Sequence, residues 1–385
     1  MVLLIGLAIA LLLGYLLYRD ILHPALISPL SKLPAAHPSS HFASTWIWWR
    51  RRTGRESHSI FAAHQQCGPI VRLSPNKVSI ASQKGLHKIY FSRFAFTCTK
   101  WVLPFRNYNG TPNLVTMLNP HEHATRRHIL SNLFSKSYLL SSPDFSRLSQ
   151  AIIFARLLPI IDKAAGVGSG VNIFKISYTV AAKIISTYQI RLESSLNLTS
   201  IGREEAKKKH IKNGKKKLRK ESKQAAKELK REYYKTYLKT DKGSRLPTAI
   251  HPVIFTQLST SIPAKEGVKT RTETLRLITS ELLNHIKAAR VGIGITVTYT
   301  IYQLSQQLDL QSNLHYKLIA LKVPLRYPLH GLLSRSVLHQ IDGIALLDAI
   351  IMETLRVHSP APNPQYRAVP EGGVAVKGYF IPANI

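Results

Sequence analysis

The chain opens with eighteen residues that carry no charged side chain, MVLLIGLAIALLLGYLLY, and this run constrains the fold more than anything after it. As a helix it spans about 27 Å at roughly 1.5 Å per residue. That matches the hydrocarbon core of a thin bilayer such as the endoplasmic reticulum's. A cleaved signal peptide has basic residues before its apolar run and a small-residue cleavage site after it. Here the basic residues come afterwards, at Arg19, Lys32 and Arg50 to Arg52. Residues 1–18 therefore read as a single transmembrane anchor, and the positive-inside rule leaves the bulk of the chain in the cytosol. A cleaved signal peptide and a buried core helix are the alternatives.

Residues 19–40 follow as a linker. Prolines at 24, 29, 34 and 38 restrict φ repeatedly, which stiffens a connection and orients what it carries. From residue 41 to 385 the chain has the length and the apolar content, 45% overall, for a substantial core. GPIVRLSPNKVSIAS, from Gly68, holds two β-rich runs joined by Ser74-Pro75-Asn76 and predicts a hairpin. Apolar residues then recur at helical spacing, predicting one helix over 121–139, a second over 144–165 and a third over 272–308. The third is interrupted by Gly292 and Gly294, which together cost about 2 kcal/mol against alanine in a helix interior. A helix that keeps such a pair has a packing or ligand reason for it.

Charge is lopsided: 53 Lys and Arg against 20 Asp and Glu give +33. Residues 203–242 concentrate it, with 17 basic and 6 acidic side chains and one narrow apolar stripe through Leu218, Ala225, Leu229, Tyr233 and Tyr237. A solvated helix, a membrane-surface helix and a nucleic-acid patch all fit that pattern. No aromatic residue interleaves the lysines before Tyr233, so base stacking has little support and a nucleic-acid partner is disfavoured. The two cysteines, Cys67 and Cys98, make no disulfide framework and no zinc spacing.

Near the end stands LLDAIIMETLRVHSPAPNPQYRAVPEGG, followed by GYFIPANI. This stretch closely resembles the ExxR helix and succeeding strands of cytochrome P-450 monooxygenases of the fungal, membrane-bound kind. The anchor, the proline linker, GPIVRLSPN, NYNGTPN, EHATRRHILSNLFSKSYLLSSP and the helix with GITVTY agree in the same order. The resemblance implies a mainly α fold with small β-sheets, a P-450-like architecture behind a single N-terminal transmembrane helix. It implies haem iron as cofactor, a lipophilic small molecule of secondary metabolism as substrate, and an NADPH-dependent reductase as partner at the endoplasmic reticulum membrane. Within it, Glu353 and Arg356 form a buried ion pair that fixes the region behind the haem. His123 and Arg127, one helical turn apart, match residues that bind haem propionates, and both side chains can donate charge-assisted hydrogen bonds to carboxylates.

The departures fall where the chemistry belongs. The family's central helix carries a small residue, then an acid and a threonine that deliver protons to bound oxygen. Aligned on GITVTY, the small positions are Ala288 and Ala289, the acid position is Val291 and the threonine position is Gly292. Neither Val291 nor Gly292 relays a proton, and general acid–base help is worth about 10²–10⁴-fold. Thr296, one turn on, substitutes only if the helix is re-registered. The haem-thiolate cysteine of an FxxGxRxCxG loop does not occur through Ile385, and neither Cys67 nor Cys98 has that loop's glycines. The chain as given is therefore expected to bind haem poorly and to be a catalytically dead fragment, truncated before the ligand loop, with the Lys-rich 203–242 making a poor apolar roof for a substrate pocket. The alternative is a non-enzymatic, membrane-anchored basic protein that binds anionic lipid or an acidic partner.

Overall fold

The apolar N-terminal run is helical from Val2 onward. Helix α1, Val2–Leu17, passes directly into a π-helical stretch, Tyr18–Ile27, which holds Pro24 inside it. The computed structural model describes residues 2–91, 96–106, 110–190, 253–268, 270–321 and 333–385. The Lys-rich 203–242 lies outside them, as do Asn107, Tyr108 and Asn109 of the NYNGTPN motif. Leu3–Ile27 is long and apolar enough to cross a membrane, and none of its apolar window is buried within the protein. Helical backbone thus persists beyond the expected boundary at Tyr18. The wider π turn, closed by Ser28 N donating to His23 O at 2.9 Å, accommodates a proline that an α turn would expel. Irregular linker begins at Ser28.

Among the described residues the chain is mainly α-helical, with three two-stranded antiparallel sheets. It divides into two units. The first comprises residues 1–103, 118–120 and 362–385. It holds α2 (Thr45–Arg52), α3 (Glu56–Cys67), α4 (Gln83–Phe91) and all six strands: β1 (Ile70–Ser74), β2 (Lys77–Ile80), β3 (Thr97–Cys98), β4 (Arg367–Ala368), β5 (Val374–Val376) and β6 (Tyr379–Ile381). The expected hairpin is β1–β2, with Ile70 opposite Ile80 and Ser74 opposite Lys77. Its turn is locked from within. Arg72 is fully buried on β1, and its guanidinium donates to the carbonyls of Ser74 and Pro75 at 3.3 and 3.1 Å. Leu30, Leu33, Ile70, Val369, Val374, Val376 and Ile381 form one apolar cluster here, and Ile47, Ile60, Ala63, Val71 and Leu73 another.

The second unit comprises residues 104–117 and 121–361. Its helices are α5 (Pro120–Ser131), α6 (Lys136–Ser141), α7 (Pro143–Ile152), α8 (Leu158–Gly166), α9 (Ile173–Ile190), α10 (Val253–Glu266), α11 (Arg271–Gln306), α12 (Leu308–Ile319), α13 (Arg335–Asp342) and α14 (Ala345–Val357). The helix expected over 121–139 is two helices. The chain turns after Ser131 and restarts at Ser135, whose hydroxyl accepts from Tyr138 N and caps α6. Serine competes with the backbone for such bonds, which is why it opens helices more readily than it continues them. The helix expected over 144–165 is α7 and α8 joined by a π turn, Ile153–Leu157, with Pro159 in the first turn of α8. The third expectation holds: α11 runs 36 residues through both glycines and is capped by Thr270, whose hydroxyl accepts from Glu273 N. The core is assembled from α5, α7, α9, α10 and α11 around Ile129, Leu148, Tyr188, Leu258, Ile278 and Leu282.

Candidate functional site

Helix α11 carries the positions where oxygen chemistry is expected, so its two flanks matter. Gly294 lies against α9. A Cβ there would stand 2.9 Å from Tyr178 Cδ2 and 3.0 Å from Tyr178 Cα, so glycine is needed for the two helices to pass. Arg290, one turn earlier on the same face, lies 4.5 Å above the Tyr178 ring. Gly292 is two residues from Gly294, hence on nearly the opposite side of the helix at 3.6 residues per turn. Nothing comes within 4 Å of a Cβ at that position. Of the two glycines, one is explained by packing and the other opens a bare stretch of backbone.

The hydroxyls near that stretch are occupied. Thr296 donates to Gly292 O at 2.8 Å, Thr298 to Gly294 O at 2.7 Å and Thr300 to Thr296 O at 2.9 Å. Thr296 therefore stays in ordinary helical register and gives its proton to its own backbone, as threonines inside helices commonly do. Val291 is exposed and apolar.

A cavity of about 430 Å³ lies on the α9 side of α11. Ile293, Val297 and Ile301 form one wall, and Phe145, Ile176 and Tyr188 contribute to the rest. Its polar groups are few. The Ser177 hydroxyl is buried without a partner, and the Tyr188 hydroxyl donates to Leu133 O at 3.0 Å. Burial pushes the Tyr188 phenol up to about 12, and it stays neutral. The cavity and Gly292 lie on different flanks of α11, so the two do not form one site.

Helix α5 carries the anion-binding pair expected from the sequence. His123 is half-buried and Arg127 is exposed, one turn apart. The neighbouring Arg126 behaves differently. It is 0% exposed and clamps Glu266 of α10 through Nε and Nη2, while its Nη1 donates to Glu281 of α11 at 3.1 Å. Glu281, also 0% exposed, accepts from Leu114 N at 2.9 Å and pairs with His285 at 3.2 Å. Burial alone would raise the Glu281 carboxyl, but the bonds from His285, Arg126 and Leu114 N outweigh it and hold the group below its ordinary range. The same balance leaves Arg126 raised: burial opposes its charge and Glu266 and Glu281 more than restore it. This network sets α5 against α10 and α11. Sequence reasoning missed it, although one signal was present: Arg126 stands three and four positions before Ile129 and Leu130, on their buried face.

Helix α14 docks on α11 through polar contacts. The hydroxyls of Thr300 and Thr354 are 3.3 Å apart, Gln303 Nε2 is 2.9 Å from His358 Nε2, and the Tyr299 ring stacks on His358 with centroids 3.9 Å apart. The Glu353–Arg356 pair forms with two hydrogen bonds of 2.7 Å. Its side chains are 61% and 71% exposed, whereas burial was expected. They point off the side of α14 away from Thr354, and among the described residues nothing covers them. Each partner holds the other charged, the mutual hydrogen bond being the main cause.

Cys67 ends α3 against the Ile47 cluster, with Sγ 3.8 Å from Ala35 O, and Cys98 sits in the β3–β4 ladder opposite Arg367.

A long helix bare at Gly292, an ExxR helix docked on it and a basic pair on α5 are thus present together in the second unit. A family profile described as Cytochrome P450 matches residues 206–385. The chain is 25% identical over 347 residues to the cytochrome P450 monooxygenase avaI of Aspergillus versicolor, across 86% of this chain and 76% of that protein. It is also 25% identical over 403 residues to the cytochrome P450 monooxygenase macH of Penicillium terrestre, across 91% and 72%. Its fold superposes on the crystal structure of a cytochrome P450 (CYP102L1) with a TM-score of 0.63 at 14% identity, covering 86% and 72% of the two chains. In sequence and in fold the chain is similar to cytochrome P450 monooxygenases, a likeness that implies haem iron as cofactor.

Proposed function

We propose that the chain serves as a haem-dependent monooxygenase scaffold for a lipophilic small molecule, supplied with electrons by a reductase. The observation that carries this reading is the bare flank of α11 at Gly292, uninterrupted helix on either side, in a chain similar to this family. His123 and Arg127 would hold the haem carboxylates, because a guanidinium and an imidazole one turn apart donate charge-assisted hydrogen bonds to two such groups. Haem supplies the oxygen-insertion chemistry when its iron has a thiolate ligand. Cys67 and Cys98 do not fit that role, so residues 1–385 alone bind haem without it. Oxygen activation is further slowed because Val291 and Gly292 provide no proton and Thr296 donates to the backbone.

The apolar helix supports an anchor in the endoplasmic reticulum membrane, formed by residues 1–18. Residues 19–40 are the linker and residues from 41 onward face the cytosol, in keeping with the arginines after the helix. Glu353 and Arg356, exposed among the described residues, bond only to each other along α14.

The test is the absorbance of the reduced, carbon-monoxide-bound form of residues 1–385 purified with haem. Haem retention without the thiolate band is expected, with retention falling in His123→Ala and Arg127→Ala together. A full thiolate band from these residues would overturn the assignment of both cysteines. Unchanged haem affinity in the double variant would overturn the carboxylate site.

A further inference from the structure

A cleft between α2 and α3, about 760 Å³ and open on one side, belongs to none of the functions above. Its lining includes His37, Trp46, Arg50, Arg55 and His58, and no carboxylate lines it. Arg50 is half-buried and its Nε is shielded from solvent without a hydrogen-bond partner. A buried guanidinium N–H left unpaired is costly, and an anion in the cleft would relieve it.

The surroundings say what kind of anion. Residues 41–66 contain four arginines and one acid, Glu56. Glu56 is already engaged by Arg51 and by the Tyr366 hydroxyl at 2.7 Å, so it does not neutralise the cleft. Trp48 and Trp49, 55% and 57% exposed, are on α2, the helix whose Trp46 and Arg50 line the cleft, and Phe42 precedes that helix. Exposed indoles flanked by arginines are the composition of a membrane–water interface. The turn Pro38–His41, next to His37, contacts the Tyr18–Ile27 end of the apolar helix. The cleft therefore lies where that helix would leave a bilayer.

We infer that the cleft binds the net-negative headgroup of an anionic phospholipid, with Arg50 and Arg55 as its donors and Trp48 and Trp49 seated among the headgroups. This rests on the reading of residues 1–18 as a membrane anchor. A free phosphate ester shares the chemistry; the placement beside the anchor favours the lipid.

The experiment uses the full chain in nanodiscs of phosphatidylcholine with a minor fraction of phosphatidylserine. The readout is the ratio of the two lipids that stay bound after detergent extraction, by native mass spectrometry. Enrichment of phosphatidylserine by about fivefold is expected, the worth of one arginine near an anionic surface. Arg55→Gln, at an exposed position, should abolish most of it, as should Arg50→Gln where circular dichroism shows the fold intact. Arg52→Gln makes the same charge change outside the cleft, over the Trp48 ring, and should keep it. Equal enrichment in Arg55→Gln and the parent, or equal loss in Arg52→Gln, would overturn the site. Displacement of the lipid by millimolar inorganic phosphate would overturn the lipid as the occupant. Alkaline carbonate extraction reads the anchor separately: retention without lipid selectivity sinks the cleft alone, and release into the wash sinks the anchor on which it rests.

Discussion

Two adjacent arginines on α5 show how far apart neighbouring residues can be in energy. Arg126 is buried between two carboxylates and Arg127 is exposed. Removing one partner of a buried ionic network strands the others, at a cost of about 3–5 kcal/mol. Arg126→Met should lower unfolding free energy in urea by that amount, and Arg127→Met by no more than about 0.5 kcal/mol. Equal effects would mean that the Glu266 and Glu281 contacts do not hold the fold. The glycines of α11 make a parallel contrast. Gly294→Ala drives a methyl group into Tyr178 and should cost about 1–3 kcal/mol as overpacking. Gly292→Ala meets nothing and should gain about 1 kcal/mol from helix propensity, so thermal denaturation should move in opposite directions for the two. The sequence shows that the glycines need a reason. It does not show that the reasons differ, because that depends on which flank meets α9. The same limit applies to the arginines: a run of two gives no sign of which one turns inward until the apolar face of the helix is drawn.

At the scale of elements, spacing reveals where helices are more reliably than where they stop. The hairpin β1–β2 and the length of α11 follow from local pattern, since alternation, a Ser-Pro-Asn turn and helical periodicity are each set within a few residues. The break between α5 and α6 does not follow, because apolar spacing continues through it and a serine hydroxyl decides the matter. The docking of α14 was likewise invisible. Its contacts pair residues more than fifty positions apart: Thr300 with Thr354, and Gln303 and Tyr299 with His358. Resemblance directs attention to Glu353 and Arg356 on this helix, yet they are its exposed pair, and His358 is the residue that holds it to α11. His358→Ala should therefore raise amide hydrogen exchange across Ala345–Val357 while leaving α9 protected. Uniform loss of protection would mean that α14 is part of one cooperative core, and no change that the stacking is incidental.

For the whole molecule, two properties follow from how charge and apolar surface are distributed. Glu281 is held below the ordinary carboxylate value of 4.5, so its ionised form stabilises the folded chain. That contribution is complete above 4.5 and is lost as pH falls through the lowered native value. Stability of the parent should drop on acidification from pH 4.5 downward, and the Arg126→Met variant should show a shallower dependence there, because one of the groups holding the carboxyl low is gone. The apolar helix acts independently of that core. None of its window is buried within the protein, so it contributes little to folding. Deleting residues 2–17 leaves Tyr18–Ile27, with Arg19 and Asp20 inside it, too short and too polar to span a bilayer. The shortened chain should leave the membrane fraction and keep the thermal midpoint of the parent. A lowered midpoint would mean that α1 packs against the protein as a core helix, and retention in the membrane would shift attention to α2, where Trp48, Trp49 and the arginines could hold the surface without a span.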